Sequence, residues 1–582
     1  MVVTVDELPK EIWIEISKSL EYNDLLRLRL CSKMMNEMVA SKAIWRPRCH
    51  ERWLNQERED ILNFEPEASN LVKQQDDWFY YFRYRNRIDK HVVNTLMSMK
   101  DTQDQKLYWD KFNYLFKYGT KVIPLLSRLE VEGYNQGTPF EITYMAHRLL
   151  VTMRHKHVFE LINRSLDDDS EEWVHYAEES IFLPLAALDV CFNRLLPYRK
   201  KMIEQIHAQI KKDYEDLTDF LTLPSTLRLD KLMKYLFQIL AKYQLPHVRQ
   251  RARYFLDDFM LLRIYAGESK GHPLLLLAIV QSVATRYNIE TVLCEEFLIV
   301  RDPGLRNGES YVTISQGGKP RIFSRKNLID SMCRIFPSRE VVLNSVIPRL
   351  LQPLKTNSLL FKVFDEWYPY CKKSIWKMIP DKTIQALLTY MPHSRYPVQV
   401  SDYEYIQAYW KLSQSANHRA LWNIGKANFL KFVLNQFPHD LVLLKDTKGF
   451  EQNFSEDATP VSFDEIFSEK YLICPGKTDM VGQFVSDRRN SQLFIVVAVK
   501  EAQNATTYFI LMDCLGHMNV LLKDDTEVVE VDTLELETIE EFLDLLSLSD
   551  LGLFFTRFDH SAGHLVPSKK FDSYLRRTTE AQ

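Results

Sequence analysis

Glycine is scarce in this chain, 16 of 582 residues. Neither G-x-x-x-x-G-K-[ST] nor G-x-G-x-x-G occurs, so the loops that let a backbone wrap a phosphate are missing. The eight cysteines (Cys31, Cys49, Cys191, Cys294, Cys333, Cys371, Cys474 and Cys514) are scattered and form no C-x-x-C pair. That spacing gives neither a zinc site nor a disulfide frame and fits free thiols in a reducing compartment. No sign of charge dominates, with 74 basic against 78 acidic side chains and a net charge of −4. Nothing global therefore attracts nucleic acid or an anionic membrane. The most apolar stretch, Leu274 to Ala284, falls short of the ~20 residues a spanning helix needs. The opening MVVTVDELPKEIW has no basic region followed by an apolar one, so no signal peptide is expected. The expectation is a cytoplasmic chain without membrane insertion, with the nucleus or an endosome surface as alternative locations.

Apolar residues make up 46% of the chain, enough for sizeable cores. The expected fold is mainly α, with N-terminal helices, a helical middle holding an α+β core, and a small C-terminal β-barrel. Shifts in pattern place the boundaries at 4–54, 76–170, 173–335, 338–447 and 470–578.

In the first segment, Pro9 stands where a first-turn proline is tolerated, with Asp6 as candidate cap. Ile12, Ile16 and Leu20 recur every four residues and form one apolar stripe. Asn23 or Asp24 can cap a second helix that Leu25, Leu28 and Leu30 begin, and Met34, Met35 and Met38 begin a third after Cys31-Ser32. Ile44, Trp45 and Trp53 supply bulky closing contacts. A unit this short is below the size at which a core is comfortably stable alone, and its apolar surface wants a partner helix. The stretch LPKEIWIEISKSLEYNDLLRLRLCSKMMNEMVASKAIW resembles an F-box. Leu8, Pro9, Ile12, Ile16, Leu20, Leu25, Leu28, Ser32 and Trp45 fall on the family pattern, while Cys31 replaces its valine and Met35 its aromatic. The resemblance implies that these nine residues dock on a Skp-type adaptor.

The middle block carries AEESIFLPLAALDV, STLRLDKLMKYLF and GHPLLLLAIVQSVATRYNIETVLCEEFLIVRD. Pro273 should open a buried helix, and Thr291 to Arg301 and Tyr311 to Ser315 read as strands. These segments resemble the SirB-type transglutaminase-like domain, whose chemistry needs a cysteine at a helix start, a histidine base and an orienting acid. Here the helix starts with Leu274 to Leu277, Glu295-Glu296-Phe297 stands where the family has histidine before phenylalanine, and the next strand ends Ile314-Ser315-Gln316 without an acid. Cys294 lies on the strand instead, and His272 reads as a capping or surface residue. No catalytic residue, cofactor or metal is expected. The acidic turn at Asp167 to Glu172 lacks a calcium-loop spacing.

Helical stripes follow, Ile406, Tyr409 and Leu412, then Leu421, Ile424, Phe429 and Phe432, with a tetratricopeptide-like look too short for a solenoid. Gly449 to Thr459 reads as a linker. Beyond it, Gly482 to Ser486, Leu493 to Lys500, Tyr508 to Asp513, Met518 to Leu522 and Val528 to Val531 read as strands, with a helix over Ile539 to Leu546. The ending LGLFFTRFDHSAGHLVPSKKFDSYL, with VGQFV and YFILMDCLGHMNVLL, resembles the YccV-type domain first named for hemimethylated-DNA binding. The acidic residues Asp479, Asp487, Asp524, Asp525, Glu527, Glu530 and Asp532 argue for a protein partner over nucleic acid. His560 and His564 flank a turn and lack a third metal ligand.

Together these resemblances imply an F-box-only family. Its expected role is the substrate-recognition subunit of an SCF-type ubiquitin ligase, with the Skp-type adaptor, a cullin through that adaptor, and a protein client as partners. A fungal member of this class gives the alternative: an adaptor-bound protein without a ligase that represses a Rab-type small GTPase in endosomal trafficking by blocking its GTP-bound state.

Overall fold

The computed structural model describes residues 9–54, 77–102, 104–132, 137–167, 174–189, 192–214, 216–249, 256–305, 307–315, 318–367, 405–406, 408–410, 412–413, 426–427, 429–434, 437–445, 463, 478–489, 491–501, 506–513, 518–529, 542 and 551–580. They fall into two compact units, Met1–Met153 with Ser455–Gln582, and Arg154–Phe454.

The first unit opens with four short helices, α1 (Lys10–Ser19), α2 (Tyr22–Leu28), α3 (Lys33–Val39) and α4 (Lys42–Cys49). Their starts are set locally. Pro9 is itself the cap of α1, because its fixed φ suits the extended residue before the first turn; Asp6 lies outside the described residues. α2 begins at Tyr22 behind Glu21, ahead of the expected Asn23 or Asp24. Ser32 accepts from the Met35 amide at 3.1 Å and starts α3, which leaves Leu30 in the turn before it rather than on a helix. A fifth helix, α5 (Trp78–Lys100), then completes the core: Trp78, Tyr81 and Phe82 pack with Leu25, Met38, Ile44, Trp45 and Trp53. The expected boundary at residue 54 therefore cuts through one hydrophobic cluster. Next come α6 (Gln105–Phe116), α7 (Ile123–Glu132) and α8 (Phe140–Asp167), which runs past Met153 in the chain. Between α7 and α8, buried His147 meets buried Glu130 at 2.6 Å.

The second unit holds α9 (Phe192–Asp213), α10 (Ser225–Tyr243), α11 (Leu261–Ala266) and the apolar α12 (Pro273–Arg286), which Pro273 opens as expected. Gly271, at φ +80, turns the chain into α12 against the Leu276 and Ile264 side chains. A four-stranded antiparallel sheet follows in the order β1 (Thr291–Leu293), β2 (Leu298–Arg301), β3 (Glu309–Ile314) and β4 (Pro320–Phe323). The stretch expected as one strand from Thr291 to Arg301 is thus a hairpin. It turns at Cys294 to Phe297, where the Cys294 amide donates to the Phe297 carbonyl at 2.8 Å. One further helix, α13 (Arg325–Cys333), covers the sheet beside β3 and β4. Among the described residues, arginine–carboxylate pairs are buried in this unit: Arg199 with Glu178 at 2.7 and 3.1 Å, and Arg263 with Asp189 at 2.6 and 3.2 Å. The acidic turn beyond Asp167, the linker at 449–459 and most of the tetratricopeptide-like tail lie outside the described residues.

The C-terminal part of the first unit is β-rich. Strands β5 (Phe484–Asp487), β6 (Leu493–Glu501), β7 (Thr507–Met512), β8 (Met518–Leu522) and β9 (Thr526–Val528) form an antiparallel sheet in the order β8-β7-β6-β5-β9. Among the described residues β8 and β9 do not pair, so the sheet is open where a small closed barrel was expected. Alternate residues of β6 bury both its faces: Ile495 and Val497 join one cluster, Phe494 and Val496 the other. A second hairpin, β10 (Phe555–Asp559) with β11 (His564–Pro567), and α14 (Lys569–Glu580) complete the first cluster. Of the expected helix over Ile539 to Leu546 only Phe542 is described, and it is buried in that cluster. Gly482 locks hairpin to sheet. At φ +89 its carbonyl accepts from the Leu565 amide at 2.9 Å, and a Cβ there would sit 2.1 Å from the Leu565 oxygen.

The Glu178 site makes a pH prediction. Burial alone would push its carboxyl up. The Arg199 guanidinium, with the Ser282 and Tyr265 hydroxyls, outweighs that and holds it below the ordinary range. A depressed carboxyl stabilises the fold above its unfolded pKa of about 4.3, and that stability is lost as pH falls through the folded value. Arg199→Met strands a buried carboxylate and is expected to cost about 3–5 kcal/mol near neutral pH. In thermal melts the gap to the wild type should narrow as pH drops below the unfolded carboxyl value; a gap that is independent of pH contradicts the assignment.

Candidate partner-binding face

The geometry of the N-terminal helices follows from one side chain. Trp45, fully buried, packs its ring against Phe82 at 4.8 Å, Phe79 at 5.0 Å and Tyr22 at 6.0 Å. Its indole N–H donates to the Val39 carbonyl, closing the end of α3. Arg48 on α4 reaches back to α1, donating to the carbonyls of Ser17 at 2.5 Å and Leu20 at 2.6 Å. The Ser17 carbonyl also accepts from the Leu20 amide at 3.3 Å, so the guanidinium completes the end of α1 and fixes its position. Behind this layer Asp89 on α5, 2% exposed, accepts from Arg52 at 3.0 Å and from the Trp53 indole at 3.2 Å.

Held this way, α1 turns Trp13, Ile14 and Ser17 inward and Ile12 and Ile16 outward, 47% and 38% exposed. The expected apolar stripe is thus divided from the core, with Leu20 half-buried at its end. Two exposed positions were absent from the expected set: Leu30, 88% exposed in the turn after α2, and Met34 on the first turn of α3. The signal was available, because Ser32 as a cap puts Leu30 in a turn with nothing to bury it. Of the nine expected docking residues, Pro9, Ile12, Ile16 and Ser32 face outward, and Leu20 and Leu28 are half-buried. Leu25 and Trp45 are fully enclosed. These two lie inside the core beneath that face, and Leu8 lies outside the described residues.

The second candidate centre, around Cys294, has a different character. The Cys294 thiol is buried, and burial, aided by Glu309, pushes its pKa up to about 12. A nucleophilic cysteine needs the opposite shift. His272 caps α12, its Nδ1 accepting from the Leu274 amide at 3.4 Å, and its ring stacks on Phe259 at 4.8 Å. His560 and His564 flank the β10–β11 turn, and no cluster of metal-binding side chains occurs among the described residues. No helix among them is long and apolar enough to cross a membrane.

Comparison with known proteins bears on the first centre directly. Residues 5–47 match the F-box domain, so the chain carries an F-box spanning α1 to α4. Over 569 residues the chain is 25% identical to "Mitochondrial distribution and morphology protein 30" of Saccharomyces cerevisiae, covering 96% of this chain and 93% of that protein. No solved structure matches. The likeness to the yeast protein extends across both compact units as well as the F-box.

Alkylation of the native chain reads the two cysteine environments. Cys31 is exposed, whereas Cys49 and Cys294 are buried with thiols pushed up to about 12. With iodoacetamide at about pH 8, Cys31 should be modified roughly a thousandfold faster than either. Rapid modification of Cys294 would mean an activated thiol and overturn the non-nucleophilic assignment.

Proposed function

We propose that this chain is a substrate-recognition subunit of an SCF-type ubiquitin ligase. In this reading the F-box docks on the Skp-type adaptor through Pro9, Ile12, Ile16 and the Leu30–Met34 turn. Leu20, Leu28 and Ser32 flank that face, and Leu25 and Trp45 support it from within. The observation that carries the reading is the F-box match over residues 5–47 together with isoleucines that α1 leaves in solvent. A helix surface with apolar side chains four residues apart fits a groove between partner helices. The chain's part in the chemistry is proximity: it raises the local concentration of a client beside the ligase and makes or breaks no bond itself. The near full-length likeness to the yeast protein supports a client whose turnover bears on mitochondrial distribution and morphology. The Rab-type alternative rests on no residue described here and draws no support from that relative.

Affinity capture of the full chain from cells, wild type against Ile12→Ser/Ile16→Ser, tests this. Both positions are exposed, so thermal stability should change by less than about 0.5 kcal/mol. Adaptor recovery should fall by about tenfold or more, as loss of a central apolar anchor does, and the cullin should fall with it. Equal adaptor recovery from both proteins overturns the proposed face. Adaptor without cullin from the wild type replaces the ligase reading with an adaptor-bound protein that recruits none.

A further inference from the structure

The second unit carries a surface that the F-box reading does not use. From Lys319 to Leu343 the chain has six basic residues (Lys319, Arg321, Arg325, Lys326, Arg334 and Arg339) and two acidic ones (Asp330 and Glu340). Six minus two is a local charge of +4, against −4 for the whole chain. All six are exposed, and among the described residues none forms an ion pair; only Arg325 is engaged, with the Tyr311 hydroxyl. Four of the six are arginines, whose planar fork suits carboxylates.

The same stretch exposes Ile322, Ile335, Phe336, Val341 and Leu343, with Ile335 at 68%. These are five of the twenty large apolar side chains that the described residues expose, within 22 positions, so they are concentrated rather than scattered. They sit on the outer side of elements joined by one core: Phe323 of β4, Leu328 and Met332 of α13, and Val342 and Ile347 beyond it share a single cluster. The sheet beneath has unequal edges. β1 is met by Pro353 and Leu354, through a bridge to Cys294 and the Leu354 amide on the Leu293 carbonyl at 3.0 Å. The outer edge of β4 meets no strand among the described residues.

We infer that this basic and apolar surface, from β4 to Leu343, is a docking site for a protein partner, an acidic segment with interspersed apolar side chains. Charge complementarity selects the occupant. Exposed arginines without an ion-pair partner among the described residues, set around exposed apolar groups, leave carboxylates and apolar anchors as the missing half, and the edge of β4 that meets no described strand can pair an extended backbone. If the proposed function holds, this partner is the client, and the segment is what marks it for recognition.

The test selects a random peptide display library on the full chain, wild type and Arg334→Glu/Arg339→Glu, with Ile335→Ser/Phe336→Ser as a second variant. Adaptor binding is measured on the same preparations, so a failed F-box reading shows there and leaves this result separate. The wild type should enrich peptides carrying Asp or Glu beside Leu, Ile, Val or Phe. A synthetic copy of the enriched sequence should bind about tenfold more weakly to either variant, and more weakly at high salt. Melting curves check that both variants fold. Enrichment without acidic residues, no enrichment, or equal binding to wild type and variants overturns the proposal. Binding of phosphatidylcholine vesicles containing phosphatidylserine, lost in both variants and without peptide selection, replaces it with a membrane surface.

Discussion

The burial of Trp45 is the constraint on which the N-terminal region depends. An F-box of four short helices has too little interior to hold a large indole by itself, and the ring is enclosed only because Trp78, Tyr81 and Phe82 of α5 close over the cluster. Once the ring is fixed, its N–H ends α3, Arg48 is placed to cap α1, and α1 has one orientation left. That orientation sends Ile12 and Ile16 outward. The exposed isoleucines are therefore a consequence of the core, and they cost hydrophobic stability that a partner can return.

The two units hold their interiors differently. Around Trp45 aromatic rings fill the space, and the buried Asp89 carboxylate collects arginine and indole donors. In the second unit two arginine–carboxylate pairs are fully buried, Arg199 with Glu178 and Arg263 with Asp189. Such pairs return little net stability for the solvation they lose, but removing one partner is costly, so they favour one packing over its neighbours. The Cys294 site belongs with these interior features: its thiol is shielded, and its backbone turns a hairpin.

Much of this was legible in the sequence because it rests on local rules. Pro273 before a leucine run opened a buried helix, and period-two stretches from Leu493 to Leu522 became strands within a residue or two of their expected bounds. Ser32 was read as part of a pattern and not as a cap, which hid the turn that exposes Leu30. The stripe of Ile12 and Ile16 was visible, but its direction was not, since that is decided by Trp45 and α5 more than twenty residues away. The break between β1 and β2 was missed because Cys294 to Phe297 gives no glycine or proline signal. The open form of the C-terminal sheet depends on which edges pair, and strand periodicity carries no information about that.

Under the proposed function, the outer face of α1 and the turn before α3 receive the adaptor while Trp45 and α5 stay inside. Amide hydrogen exchange on the full chain, with and without the Skp-type adaptor, reads this residue by residue. Added protection is expected over Lys10–Ser19 and around Leu30 to Met34, with Trp78–Lys100 unchanged. Protection confined to Trp78–Lys100, with α1 exchanging as in the free chain, would contradict it.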